Sequence, residues 1–375
     1  MFSPWLELPG VREQLGELAE VAGLDLLRLG TTADADEIKD TAVTQPLIVA
    51  LGIVVAGQLS LGTSTVVAGH SVGELTAAAI AGVLTPRDAV ALATRRGAEM
   101  AAACALTPTG MTAVLGGEPE IVVAAIEAAG LTPANRNGAG QIVAAGGLDQ
   151  LAALAAAPPA GGRLRPLPVA GAFHTEYMAP AQVALAEHVR GLTISEPIHI
   201  LLSNSDGTSA ASGGDMIRRI VAQITRPVRW DLCQQTMVGL GVTAAIELAP
   251  AGALVGMAKR EIPGIELLAI KSPADLGAAA SMISNQTEQG QGEHTPEFRV
   301  VITPAKGIFT RTEGLVEGQH VGRGARLGTV RTNRDEHAII APYAGVLTEW
   351  LRSDGDIVAA GLPVVRLHDG SELHA

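Results

Sequence analysis

Three residues, far apart in the chain, carry the chemistry this sequence offers. Ser71 sits in Gly69-His70-Ser71-Val72-Gly73, a G-x-S-x-G pattern that follows the apolar run Val66-Val67-Ala68 and precedes an Ala-rich helical stretch. The glycines permit a tight strand-to-helix turn that lifts the serine hydroxyl clear of a sheet. The next backbone N–H, of Val72, then falls at a helix N-terminus, where it can stabilise an oxyanion. Taken alone, the five residues also suit an ordinary Gly-rich turn. A hydroxyl nucleophile needs a base, and His174 in Gly171-Ala172-Phe173-His174-Thr175 is the candidate. Among nine histidines, spacing alone does not raise it above His188 or His199. Arg96, in Arg95-Arg96-Gly97-Ala98-Glu99-Met100, reads either as a solvated helix face or as a guanidinium fork. Such a fork binds a substrate carboxylate through two N–H groups, where lysine offers a point charge.

The elements that must position these groups alternate in type. A helix is expected over Glu74–Val83, and Thr85-Pro86 reads as an N-cap with Pro at the first helical position, opening a second helix over Arg87–Ala103. Strand-like runs recur at Met111–Leu115, Gln141–Ala145, Arg165–Val169, Ile198–Ser203 and Ala244–Glu247. Strands alternating with helices imply a mainly parallel sheet covered on both faces. The stretch 111–170, with a helix expected over Glu118–Ala129, has its own rhythm and reads as a small inserted α+β subdomain. Composition shifts at 284–296, SNQTEQGQGEHTP, which has no large apolar residue and reads as a linker. This gives a domain over 1–283 and a tail over 297–371. In the tail, Gly318, Val321, Gly324, Leu327 and Val330 are matched one repeat later by Gly355, Val358, Gly361, Val364 and Leu367. Two such copies of short β segments, joined by a polar tip at Arg331–His337, imply a flattened β-sandwich with pseudo-twofold symmetry.

Bulk properties exclude several classes. The 375 residues carry a net charge of −12, and aromatics are only 2%, which argues against nucleic-acid binding through a basic footprint or stacking platform. Hydrophobics at 47% and charged residues at 17% describe a folded chain. Cys104 and Cys233 belong to no CxxC, so neither a disulfide framework nor a metal site is indicated. The apolar run Pro46–Gly57 falls short of the ~20 residues a spanning helix needs. The N-terminus has no basic segment and carries Glu7 and Glu13, unlike a signal peptide, so the expected compartment is the cytoplasm.

Taken together, certain residues resemble the malonyl-CoA:acyl-carrier-protein transacylase family. They are Gly69-His70-Ser71-Val72-Gly73-Glu74, Arg96-Gly97 with Met100, Asn135-Arg136-Asn137 before Gly140-Gln141-Ile142-Val143-Ala144-Ala145-Gly146, and Phe173-His174. Thr44-Gln45-Pro46 and Pro227-Val228-Arg229-Trp230 are also typical of it. The resemblance runs from about Trp5 to Ala280. It implies a hydrolase-like α/β domain with an inserted ferredoxin-like subdomain, and ping-pong transfer without a cofactor. Ser71, activated by His174, would be malonylated by malonyl-CoA and then yield the group to the phosphopantetheine thiol of acyl carrier protein. Arg96 would hold the free malonyl carboxylate. The Gln223 backbone carbonyl would steady the histidine in place of an aspartate, and His70, Asn137 and Gln141 would line or brace the pocket. Val72 after the serine and Ala172-Phe173-His174 resemble the malonyl type, with Phe173 crowding an α-methyl group at ~1–3 kcal/mol. The family opens with an apolar strand ending in Gly-Gln-Gly-x-Gln, which Met1-Phe2-Ser3-Pro4 does not provide, so a reading frame beginning further upstream is expected.

The tail, over about Phe298–Leu367, resembles biotinyl/lipoyl attachment domains, a flattened all-β barrel. Alignment places Arg334, not lysine, at the tip where those domains are modified, and Lys306 falls in the other repeat's turn. Guanidinium is a poor nucleophile, so the module is expected to carry no cofactor and to serve docking or packing. Two other readings remain: a serine thioesterase or hydrolase on the same elbow, and a catalytically impaired scaffold lacking the opening strand. Arg226, Arg229, Lys259 and Arg260 are candidates for a basic surface facing an acidic carrier.

Overall fold

The computed structural model describes residues 1–62, 65–292, 298–332, 335–342 and 344–368. It divides into two compact units, Met1–Asn285 and Gln286–Ala375.

The first unit is built around a helix that is apolar on all sides, Thr41–Ala56, whose Asp40 side chain caps it by accepting from the Ala42 N–H at 2.8 Å. An all-round apolar helix must be enclosed, and Leu47, Ala50, Leu51 and Val54 lie within 1% of full burial. The helix Pro86–Cys104 packs along it, opening as the sequence indicates with Pro at the first position and the Thr85 hydroxyl accepting from Asp88 N–H at 3.1 Å. Gly97 makes this approach possible. A Cβ there would lie 2.6 Å from the Thr41 carbonyl oxygen, so a larger residue would push the helices apart. The helix Gly73–Ile80 packs on the same core.

Parallel strands are present but do not form one continuous sheet among the described residues. Val66–Val67 pairs with Ile200–Leu201, and Ala244–Glu247 pairs with Glu266–Ala269, each as a separate two-stranded parallel ladder. The turn at Gly69 follows the first strand so closely that only two residues can offer ladder groups to the 198–203 run.

The larger sheet belongs to the inserted region. Its order is Arg163–Pro166, Thr109–Leu115, Gln141–Gly147, Thr132–Arg136, Val228–Arg229, antiparallel except for the last pair. The strand expected to reach Val169 ends at Pro166, because Pro166 and Pro168 have no N–H to give the ladder. A strand from outside the insertion, Val228–Arg229, completes the sheet. Alternation along Thr109–Leu115 sends Val114 toward the helices Pro119–Ala128 and Leu148–Ala156, and Met111 and Ala113 toward Ala172 and Phe173. This second, Ala-rich face carries the loop that bears His174.

The helix Leu276–Gly292 occupies the start of the segment whose composition suggested a linker. Absence of apolar residues removes packing partners without forbidding helical backbone, since Gln and Glu are good helix formers.

In the second unit, two four-stranded antiparallel sheets share one core of Val301, Phe309, Leu327, Val330, Ile339, Leu347, Val364 and Leu367, the two layers of a sandwich in place of the flattened barrel that the resemblance implied. One sheet runs Phe298–Ile302, Pro363–His368, Gly345–Trp350, His320–Val321; the other runs Glu336–Ile340, Arg326–Arg331, Gly307–Arg311, Ile357–Val358. Each sheet therefore takes two strands from each sequence copy, in matching order. Arg334 lies outside the described residues. No helix among the described residues is long and apolar enough to cross a membrane.

Candidate active site

Ser71 stands between the strand Val66–Val67 and the helix Gly73–Ile80 with φ of 52°, in the left-handed region that costs a non-glycine residue energy. The two motif glycines differ in role. A Cβ on Gly69 would fall 2.0 Å from the Gly73 carbonyl carbon, whereas one on Gly73 would meet nothing within 4 Å. Only the first is required by close approach. The Ser71 N–H donates to Asn204 Oδ1 at 2.8 Å, and Asn204 Nδ2 donates to the Gly69 carbonyl at 2.8 Å, so one side chain ties down both sides of the turn. The Val72 N–H donates to no protein group among the described residues, which leaves it open toward an incoming oxygen.

His174 also has positive φ, 62°, and the described non-glycine residues with this feature are Ser71, Ala139 and His174. Its loop is held by the Ala172 N–H donating to Thr109 Oγ1 at 3.0 Å and by Thr175 Oγ1 donating to the Ala172 carbonyl at 2.6 Å. Nδ1 lies 2.8 Å from the Gln223 carbonyl oxygen. A carbonyl only accepts, so Nδ1 carries the hydrogen and Nε2 is left as a base. That Nε2 lies 2.8 Å from Ser71 Oγ. Burial, and after it the Arg96 charge, pulls the His174 pKa down to about 3, so the imidazole is neutral at physiological pH.

Arg96 is 2% exposed and aims its fork into the same place. Nη2 donates to Ser71 Oγ at 3.2 Å and to Gln223 Oε1 at 2.9 Å, and Nη1 donates to Gln45 Oε1 at 2.6 Å. Burial lowers its pKa to about 10, with Glu74 opposing, and it remains a cation. Both partners of the fork apart from Ser71 are neutral amides, so the positive charge has no directly bonded carboxylate.

The other expected residues converge less tightly. His70 Nε2 meets Asn137 Oδ1 at 2.8 Å, with the Trp230 ring edge-on at 5.9 Å between centroids, and Asn137 Nδ2 donates to Gln141 Oε1 at 3.5 Å. These three bridge the serine turn to the strand Thr132–Arg136 and the turn after it. Phe173 is partly buried against both the main core and the Ala-rich face of the small sheet. Of the basic residues considered for a carrier surface, Arg229 is held by Asp231 at 2.8 Å, while exposed Arg226 lines a cleft of 310 Å³ with Arg218 and Arg219. A larger cleft of 690 Å³ lies on the small sheet; it is lined by Thr109 but by none of Ser71, His174 and Arg96.

Three participants were not singled out as site residues from the sequence: Gln45, Glu74 and Asn204. Glu74 directly follows the serine motif, and an acidic residue in the first turn of a helix ordinarily complements its dipole at the surface. Here it is 1% exposed, and burial pushes its pKa up to about 7 against the Asn204 N–H and the Arg96 charge. Asn204 lies in the turn three residues beyond the strand Ile200–Leu201, off the carboxyl end of a parallel pair, a position where α/β proteins place ligand-binding groups. That positional signal was available.

A raised serine, a neutral imidazole held by a carbonyl and a buried guanidinium define a nucleophilic site built for an acyl group that bears a negative charge. The chain belongs to the family described as Acyl transferase domain, which matches it over residues 13–287. It is 54% identical over 284 residues to the malonyl CoA-acyl carrier protein transacylase of Mycolicibacterium smegmatis, covering 74% of this chain and 98% of that protein. The crystal structure of MCAT from Mycobacterium tuberculosis superposes with a TM-score of 0.72 at 53% identity, covering 74% of this chain and 94% of that one. A malonyl-transacylase in complex with its type II PKS acyl-carrier protein superposes with a TM-score of 0.70 at 27% identity, covering 75% and 94%.

Proposed function

We propose that this chain moves a malonyl group from malonyl-CoA to the phosphopantetheine thiol of acyl carrier protein, the step that supplies malonyl units to fatty acid biosynthesis. The observation that carries the reading is that Ser71 Oγ lies 2.8 Å from the His174 base and 3.2 Å from the Arg96 cation. Ser71 Oγ attacks the thioester carbonyl while His174 Nε2 takes its proton. The Val72 N–H stabilises the resulting oxyanion. The C–S bond breaks and CoA leaves as the thiol, taking the proton from His174. In the second half the carrier thiol gives its proton to His174 and attacks the malonyl ester, and Ser71 is regenerated. Arg96 pairs with the terminal carboxylate, which fixes the orientation of the three-carbon acyl group. Phe173, beside His174, narrows the space for an α-methyl branch and favours malonyl over methylmalonyl.

In this reading residues 1–283 form a hydrolase-like acyltransferase domain, and 111–170 contribute a ferredoxin-like insertion that supplies Asn137 and Gln141. Residues 297–371 form a biotinyl/lipoyl-like domain used for docking or packing. The paired sheets and their internal twofold support that last assignment.

Intact-mass analysis after exposure to malonyl-CoA tests the function directly, with a malonyl adduct on Ser71 expected. Arg96→Ala should abolish most malonyl loading, by about 10²-fold or more for a charged pair in a buried site, while loading of an uncharged acyl-CoA is spared. Equal loss of both would favour a serine hydrolase that merely needs Arg96 for packing.

A further inference from the structure

Behind the serine, histidine and arginine lies a second layer centred on a carboxylate that the reaction itself does not use. Glu74 Oε2 accepts from Gln223 Nε2 at 2.6 Å, and Glu74 Oε1 accepts from the Asn204 backbone N–H at 2.5 Å. Glu74, Asn204 and Gln223 are 1%, 0% and 3% exposed, so the layer is closed to bulk solvent. The Gln223 side chain joins this layer to the site. Its Nε2 faces Glu74 and, at 3.0 Å, Asn204 Oδ1, while its Oε1 faces Arg96 Nη2 at 2.9 Å.

We propose that Glu74 is a positioning residue that sets the polarity of the Gln223 amide and thereby presents an oxygen, rather than an NH₂ group, to the malonate-binding Arg96. An amide can sit in either of two orientations of nearly equal shape, and only hydrogen bonding selects one. Ionised, as it is above about pH 7, Glu74 is acceptor-only, so it holds the NH₂ end toward itself and forces the oxygen outward, and KM comparisons therefore belong at about pH 8. With the oxygen turned toward Arg96, Nη2 is anchored on one side and remains aimed at Ser71 Oγ. With the amide reversed, two donors would confront each other and the guanidinium would lose its anchor. Glu74 also fixes the Asn204 backbone, and Asn204 Oδ1 in turn holds the Ser71 N–H. One buried carboxylate thus references both the nucleophile turn and the carboxylate-binding arm. Gln223 serves the base by a separate route, since it is the main-chain carbonyl that receives His174 Nδ1–H. Side-chain changes at position 223 therefore leave the imidazole contact in place.

This role rests on the malonyl-transfer reading, and the test keeps the two apart. In Glu74→Gln the new amide must keep its oxygen on the Asn204 N–H, which turns its NH₂ toward Gln223. Reversal of the Gln223 amide should raise the KM for malonyl-CoA about tenfold to a hundredfold, the usual cost of losing a hydrogen bond to a charged group. Labelling of Ser71 by an uncharged fluorophosphonate should stay within about twofold of wild type, because nucleophile and base are untouched. Gln223→Met removes the amide while its main-chain carbonyl stays on His174, so it should raise the KM by a similar factor, and the double variant E74Q/Q223M should be no worse than Q223M alone, because both substitutions remove the same anchor of Arg96. A KM for E74Q within about twofold of wild type overturns the role. So does a fall in fluorophosphonate labelling that parallels the fall in malonyl loading, or a KM for E74Q/Q223M well above that of Q223M, either of which would make Glu74 a structural residue. Absence of any malonyl adduct on wild-type Ser71 would instead overturn the function itself.

Discussion

At the scale of single residues, the site depends on keeping one imidazole uncharged beside one cation. His174 has an ordinary pKa of 6.5, lowered to about 3 in the folded protein, chiefly by burial. Between those values the unfolded chain binds a proton that the native chain refuses, so native stability declines as pH falls from about 6.5 toward 3. Melting curves of wild type and His174→Gln should therefore diverge in this window, with wild type losing more of its melting temperature on acidification. The rate should show no inflection from His174 between pH 5 and 8, a range in which it is already a neutral base. Ser71 stood out by its own motif, but its convergence with His174 and Arg96 was legible only through the family resemblance, because spacing left His174 level with His188 and His199 and left Arg96 open to a solvated-face reading. Glu74 was legible as a member of the motif but not as a buried anion. Nothing in its neighbours along the chain reveals that Gln223 and Asn204, more than a hundred residues away, close over it.

At the scale of elements, the serine turn is fixed by one glycine. Gly69→Ala forces a methyl group to within 2.0 Å of backbone that cannot move aside, and a loss of ~3 kcal/mol or more, or failure to fold, is expected in urea titrations. Gly73→Ala places a methyl group in open space at the first position of a helix, where replacing glycine gains up to ~1 kcal/mol. The motif pattern treats the two positions alike, and three-dimensional proximity alone distinguishes them. Elements with a local signature matched expectation closely: Thr85-Pro86 opens its helix, and Thr109–Leu115 and Gln141–Gly147 are strands. The extent of pairing was less legible. The two residues Val228–Arg229 join the small sheet from far along the chain, and so short a run leaves no periodic trace.

At the scale of the molecule, two cores with no residue in common lie in two units. Calorimetry should resolve two transitions. Phe309 is fully buried in the second core, and Phe309→Ala should weaken that unit by ~3–5 kcal/mol while malonyl transfer proceeds at the wild-type rate. A fall in transfer rate would instead assign the tail a part in the reaction. The chain divides at Asn285–Gln286, within the stretch where composition changes and ahead of the internal repeat. That the copies would be shared out between two sheets was not legible, because a repeat shows that units are alike without showing how they pair.

The sharing of both copies within each tail sheet has a consequence of its own. Neither half owns a complete layer, so a polypeptide ending between them would expose raw ladder edges on both remnants. The two halves form an interlocked clasp, in which each copy supplies half of the strands of both layers.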